Sequence, residues 1–429
     1  MTFKDQRRSL LSSQARVQVP WVKVTIGDYT FGVYSRKGNK KDGAGFYQSF
    51  DIQYPKYIKD LTVTKINGQV NQYTLNIEYP ITPSDDPNFF EKVFSSVSKT
   101  RKIVFSYGDA ATPSFTYKDE EAIITRIGQS FNLQSSSISY SISAISSASL
   151  CTSGSYTFMS DEALHKPSTI IKNLFKNPNY HLGEIFTGMS VEKLPEFIAG
   201  DDAAVKLEPK YNISILDYIT YLVSCMIPAG STSKTNISND IYILTIHDET
   251  SYDEVYGNDN ISGPYFKVTR TSYKAEQSDA YIIDIGYNTS TIVSSFNIDN
   301  NENYSIYYDY QKKLHPEEYI ERLDTNGNWV KKYAPVSTTK LDSVTNPDDI
   351  TWWTKITKYP IGANITIQGL LRPAMLMQYV RLNVIFPGGH KHIASGLYIV
   401  TKQQDTINAS GYKTQLGLTK ISGDTSPTN

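Results

Sequence analysis

His390-Lys391-His392 is the histidine pair in this chain whose spacing most suggests ligands. On a strand, an H-x-H pair sets two imidazoles on one face, which suits a metal. The pair follows Pro387-Gly388-Gly389 and has no third ligand nearby, so a solvated hairpin end is expected there. Asp299-Asn300-Asn301-Glu302-Asn303 resembles a calcium loop, but Tyr304 fills the slot that needs glycine, and the closing glutamate is missing. Asp85-Asp86 could form a carboxylate pair; with Pro87 next, helix capping is the expected role. Cys151 and Cys225 have no papain-like surroundings, and two cysteines in 429 residues make neither a disulfide framework nor a zinc site. No G-x-S-x-G, H-E-x-x-H or P-loop occurs. The expectation is a chain without a catalytic residue, a resident metal or a cofactor.

Lys37, Lys40 and Lys41 around Gly38-Asn39 form the nearest thing to a basic patch, and a solvated loop is expected. Trp352-Trp353 is a pair of large aromatics in a polar, turn-rich stretch, which suits an interface or a covering loop, with a sugar platform as the alternative. Ser137, Ser139, Ser141 and Ser143 alternate with Ile138, Tyr140, Ile142 and Ala144. That is a half-buried strand with an all-serine outer face. The serine face suits a lumen or a polar joint between subunits, and a plain solvent-facing strand is the alternative.

The net charge of −1 does not argue for a nucleic-acid binder. With 20% charged and 12% aromatic residues, the chain is too rich in rings for a disordered one. No secretory signal or transmembrane stretch is read, so no membrane insertion is expected.

Alternation of period two dominates the elements. Tyr73–Tyr79 and Ile103–Tyr107 read as strands, and Asn67-Gly68 marks a hairpin. Helices are few: Phe89–Val97, Pro167 to about Asn177, and about Ser214 to Met226, stopped by Pro228. The fold class expected is mainly β, α+β overall. It comprises two similar antiparallel β-barrel domains joined by a mixed α+β domain. The boundaries are an N-terminal arm over 1–14, a first barrel over 15–150, an α+β middle domain over 151–279, and a second barrel over 280–429. The second barrel holds a Tyr- and Asn-rich insertion around 290–359.

The paired barrels rest on a faint internal repeat. Ala122–Ser146 aligns on Tyr398–Ser422 at constant shift without a gap. Ile123 meets Ile399, Thr125 meets Thr401, Arg126 meets Lys402, Tyr140 meets Leu416 and Ile142 meets Leu418. Upstream, with small gaps, Ile103, Phe105, Tyr107 and Gly108 resemble Leu382, Val384, Phe386 and Gly388, and Tyr73–Tyr79 resembles Ala363–Gly369. Chance alignment of two hairpins of similar period is the alternative.

The C-terminal run also carries a resemblance. Tyr359–Leu370 ends a strand in Gly-Leu, Val380, Leu382 and Val384 form a V-x-L-x-V strand, Ser395–Val400 reads SG-x-Y-x-V, and Thr414, Leu416 and Leu418 close it. This resembles the hub proteins of phage tails and the N-terminal part of type VI secretion spike proteins. The Ser214–Met226 helix, with its core Ile215–Val223, is similar to the middle domain of such hubs. The resemblance implies a non-enzymatic virion protein, a homotrimer forming a pseudo-sixfold ring that adapts a sixfold tail tube to a threefold spike. Its implied partners are a tail-tube protein, a spike or tip protein and a tape-measure protein, with DNA passing through the lumen without specific binding. Its implied location is the virion tail, assembled in the bacterial host cytoplasm. A glycan-binding tail adhesin is the alternative, favoured by Trp352-Trp353, and a β-rich glycosidase or peptidase stands third.

Overall fold

The computed structural model describes residues 20–33, 54–55, 57–96, 101–109, 116–160, 163–229, 241–248, 263–271, 281–286, 293–300, 361–368, 376, 378–392 and 394–423. The expectations for Lys37–Lys41, Trp352-Trp353, the 1–14 arm and nearly all of the 290–359 stretch lie outside them.

The chain is mainly β. Its first strands are β1 (Pro20–Ile26), β2 (Tyr29–Val33), β3 (Tyr54–Pro55), β4 (Ile58–Ile66) and β5 (Gln72–Pro80). Then come β6 (Lys102–Asp109), β7 (Thr116–Asn132) and β8 (Ser137–Ser146). The last strands are β13 (Tyr281–Gly286), β14 (Val293–Asn300), β15 (Ile361–Gln368), β16 (Tyr379–Ile385), β17 (Gly396–Asn408) and β18 (Gly411–Gly423). All of these belong to one sheet of order β14-β15-β18-β17-β4-β5-β8-β7-β6-β1-β2-β3, with β16 branching from β17 and β13 from β16. Alternation shapes it: along β5, the residues Tyr73, Leu75, Ile77 and Tyr79 are buried while Thr74, Asn76 and Glu78 are not. Pairing is antiparallel except for β2 with β3 and β13 with β16. Among the described residues no ladder closes either half into a barrel.

The internal repeat is visible in the ladders. The path β4-β5-β8-β7-β6-β1 has the same order as β14-β15-β18-β17-β16-β13. Two β-bulges recur at matching places. One skips Lys59 in β4 and Ser294 in β14; the other skips Thr125 in β7 and Thr401 in β17. Bulges re-aim a strand and are kept as built features, so their recurrence argues against chance alternation.

The ladders also correct the alignment. Ile142 lies opposite Leu75 as Leu416 lies opposite Ile365, so Ile142 matches Leu416 rather than Leu418, and Ala144 matches Leu418. The shift is not constant: β7 turns into β8 after Asn132 and resumes at Ser137, whereas β17 ends at Asn408 and β18 starts at Gly411. Likewise Ile103 and Phe105, opposite Ala122 and Glu120, match Val380 and Leu382, opposite Tyr398 and Gly396. Tyr73–Tyr79 matches from Ala363 as expected. One slot differs in direction. Beside β6, the strand β1 runs antiparallel; beside β16, the strand β13 runs parallel.

Three groups of buried apolar residues underlie this arrangement. One lies under β1–β8 and takes in Ile407 and Tyr412 from β17 and β18. A smaller one lies under β13–β18. The third belongs to the middle segment. The helix α1 (Phe89–Ser96) plugs the first core through Phe90 and Val93, both 0% exposed. It begins two residues after Pro87, so Pro87 is not its first residue. Asp86 holds the turn that leads into the helix, accepting from the Asn88 amide at 2.9 Å and from Lys92 Nζ at 2.5 Å.

The middle segment contains α2 (Pro167–Lys176), α3 (Ile215–Ser224), and the two-stranded sheets of β9 (Tyr156–Phe158) with β10 (Lys210–Ile213) and β11 (Ile241–His247) with β12 (Tyr265–Thr271). Pro167 opens α2 as the sequence indicates, and Ser214, where the sequence starts the next helix, caps α3 by accepting from the Asp217 amide. Buried Asp202 holds the start of α2, accepting from the Ser168 amide at 2.9 Å and hydroxyl at 2.5 Å.

Candidate interface and lumen surfaces

The serine strand β8 sits inside the large sheet, between β5 and β7. Ser141 is exposed, Ser139 and Ser143 are half-buried, and Ser137 is buried, its hydroxyl 2.8 Å from that of Ser135. Ile138, Tyr140, Ile142 and Ala144 fill the first core.

The serine face is part of a larger polar surface. Ladder registers carry it across β14-β15-β18-β17-β4-β5-β8-β7. One row runs Arg126, Ser143, Thr74, Thr62, Thr406, Lys413. Another runs Gln72, Thr64, Gln404, Gln415, Thr366, Ser295 and carries no charge at all. Side chains of this kind hydrate well, and past Gln72 the second row ends on half-buried Ile145 and Ile123. Arg126 and Lys413 stand at the two ends of the first row, and two contacts hold charged groups between them. Asn76 donates to Asp60 at 2.8 Å, and Lys59 meets Glu78 at 2.8 Å.

The surface is continuous because the two repeats are joined strand to strand. The outer half of β17, Lys402–Asn408, pairs antiparallel with β4, Asp60–Ile66. Beneath this joint the alternation breaks its own rule. Gln403, Asp405 and Thr414 point to the core side and are 0%, 1% and 0% exposed. Asp405 accepts from Thr414 Oγ1 at 2.6 Å and Gln403 Nε2 at 2.8 Å. Beside them, Lys65 Nζ lies 2.5 Å from Glu120, and Tyr107 donates to the same carboxylate at 3.2 Å. Burial raises the Asp405 carboxyl to about 6, against the pull of its hydrogen bonds and of Lys65. A polar cluster of this sort favours one register over its slipped alternatives.

The groups that could do chemistry are separately engaged. Both cysteines are buried and in no disulfide, and burial pushes Cys151 up to about 12, far from a reactive thiolate. His390 is exposed at the hairpin end, and His392 Nδ1 accepts from the Ala394 amide at 3.2 Å. Asp85 accepts from the Thr82 amide at 2.8 Å, so Asp85 and Asp86 hold separate turn contacts. Among the described residues no three or more His, Cys, Asp or Glu could hold a metal ion, and no helix is long and apolar enough to cross a membrane.

Two features are not specified by the local sequence pattern. The β4–β17 joint was not foreseen, although polar Gln403 and Asp405 on an otherwise apolar face were its signal. The outer half of β7 was also missed: Ile127 and Phe131 there are 40% and 64% exposed.

No protein-family profile matches the chain, and no curated protein matches it in sequence. Solved structures do. A tail protein from Neisseria meningitidis is similar over 94% of this chain and 96% of its own, at 9% identity and a TM-score of 0.47. The 43 kDa tail protein of prophage MuSo2 from Shewanella oneidensis covers 94% and 98%, at 8% identity and a TM-score of 0.43. The E. coli c3393 protein, a type VI secretion component described as similar to the T4 tail proteins gp27 and gp5, covers 87% and 77%, at 9% identity and a TM-score of 0.42. By their descriptions these are two tail proteins and one type VI secretion component.

Proposed function

We propose that this chain is a structural hub of a phage tail. Three copies form a ring of six similar units around a polar channel, matching a sixfold tail tube on one side and a threefold spike on the other. The single observation that carries this reading is the pair of strand paths of equal order, with bulges at matching places, merged into one polar surface. Two equivalent units per chain are what a threefold body needs to meet a sixfold one. The motif resemblance of the C-terminal run supports it.

On this reading residues 15–150 and 280–429 supply the barrel-like ring units, and 151–279 stand outside the ring as the middle domain. The arm over 1–14 and the stretch around 290–359 are additions to that frame. The Ser137–Ser143 face lines the lumen or a subunit joint, and Trp352 and Trp353 lie at a partner interface. The partners are tail-tube, spike and tape-measure proteins, DNA passes without specific recognition, and the role is mechanical rather than catalytic.

Electron microscopy of the purified chain, alone and co-expressed with a tail-tube protein, tests this. End-on averages with six lobes, threefold symmetry and a central hole are expected. A compact particle without a hole under both conditions would overturn the ring, and a glycan array would then decide whether the adhesin alternative replaces it.

A further inference from the structure

The joint inside the chain has an unfilled counterpart. In the joint, Ile407 of β17 lies opposite Leu61 of β4, and Thr406 opposite Thr62. Ile407 and Leu61 are 1% and 0% exposed and share the first core. In the repeat, β7 stands where β17 stands and β14 where β4 stands. Yet the outer half of β7 is paired with β8 on one side only, and β14 with β15 on one side only, among the described residues.

Both edges show apolar residues on the core side of the sheet. Phe131, 64% exposed, lies opposite buried Ile138, and Ile298, 36% exposed, lies opposite buried Ala363. Half-buried Phe296 borders the smaller second core. Open strand edges with apolar side chains are templates for another chain. β7 and β14 lie at opposite ends of the polar surface and correspond in the repeat to β17 and β4, which pair antiparallel.

We infer that the outer edge of β7 in one copy pairs antiparallel with β14 of a second copy, in the register of the internal joint. This inference rests on the ring reading and fixes its contact. The register sets Phe131 opposite Phe296, Ser130 opposite Asn297 and Gln129 opposite Ile298 of the second copy. Phe131 then enters the neighbour's second core as Ile407 enters the first. The contact is heterologous, so it propagates from copy to copy until the ring closes.

Paired cysteines read the register. Directly opposite residues on antiparallel strands fall within disulfide reach, whereas a slip of two residues does not. In the full chain, Ser130→Cys with Asn297→Cys is expected to give disulfide-linked dimers and trimers under mild oxidation. The slipped pair, Ser130→Cys with Ser295→Cys, should give at least about tenfold less. Native Cys151 and Cys225 are buried and should not compete. Separately, Phe131→Asp should abolish self-association in native mass spectrometry and leave the melting curve of the single chain unchanged, because the ring is already exposed. Trimers that form without the register-specific link, or that persist in Phe131→Asp, would overturn the edge pairing and leave the ring reading standing. A wild-type chain that never associates, even on the tail-tube protein, would overturn both.

Discussion

Thr125 and Thr401 make the same hydrogen bond from the same kind of irregularity. Each is skipped by the ladder to its hairpin partner, and each turns its hydroxyl onto a carbonyl of that partner, Ser143 at 3.1 Å and Gly417 at 3.3 Å. A bulge leaves one residue outside the regular pairing, and a threonine that reaches across restores part of what is lost. Removing the hydroxyl as Thr401→Val should cost about 1 kcal/mol, and less for exposed Thr125, as is usual for a single hydrogen bond. Urea titration of each variant measures this. A Thr401→Val protein as stable as its parent would show that the bulge holds without its hydroxyl.

Charge on the serine face should damage assembly and leave folding alone. Ser141 is exposed and Ser139 half-buried, so Ser139→Asp with Ser141→Asp should change stability by no more than about 1 kcal/mol. Particle formation or passage through the channel should fall sharply. Thermal melts and infectivity measured together separate the two effects, and normal infectious particles from the double variant would argue against a lumen or joint role.

Asp248 fastens the middle segment to the first repeat. Its carboxylate is buried and accepts from Asn71 Nδ2 at 2.7 Å, the Tyr73 hydroxyl at 2.9 Å and the Ser146 hydroxyl. Nearby, the Gly68 amide at the tip of the β4–β5 hairpin donates to Leu244 of β11 at 2.9 Å. Gly68 has φ +70°, the one left-handed residue of that turn. Asp248→Ala strips three buried donors of their acceptor and should cost about 3 kcal/mol. Hydrogen exchange should quicken in β11 and around Gly68 and stay unchanged in β15 and β18. Uniform quickening across the chain would mean that Asp248 supports the whole fold rather than one junction.

Asp405 gives the joint a pH dependence. Its carboxyl is raised from 3.8 to about 6 in the folded chain. A raised acid binds more protons folded than unfolded, so its stabilising contribution is full below about pH 4 and is lost as pH rises through about 6. The amplitude is on the order of 2–3 kcal/mol. Asp405→Asn should flatten the stability profile between those values, since the Gln403 amide can rotate to meet the new amide. Denaturant midpoints taken at several pH values check this, and an unaltered slope in the variant would remove Asp405 as its source.

Much of this architecture can be read from alternation, and the exceptions have a common cause. The strands around Tyr73, Ile103 and Ile138, the helices opening at Pro167 and Ser214, and the recurrence of the first unit near the C-terminus all follow from apolar spacing and caps. Alternation, however, is blind to a displacement of two residues, because the same face returns. Ile142 could therefore be set against Leu418 when the ladders set it against Leu416, and only the shorter turn between Asn408 and Gly411 carried the difference. It is equally blind to strand direction, which is why nothing about Ile283 or Ile285 announced that β13 runs parallel to β16. The β4–β17 joint links residues far apart in sequence, so no local pattern specifies it. Its trace was the polar pair Gln403 and Asp405 on an inward face. The exposed edge of β7 left no such trace, since Ile127 and Phe131 keep the inward spacing and differ from core residues only in lacking a cover.

β17 belongs to two structures at once. Its first half bonds β16, its second half bonds β4, and β18 runs beside its whole length. Force directed along β17 that would separate the repeats therefore passes along a single covalent backbone and through a ladder of peptide hydrogen bonds. Side-chain packing alone would creep under a sustained pull, whereas a ladder loaded along its strands yields only when many bonds fail together. The seam between the repeats is built as a tension member.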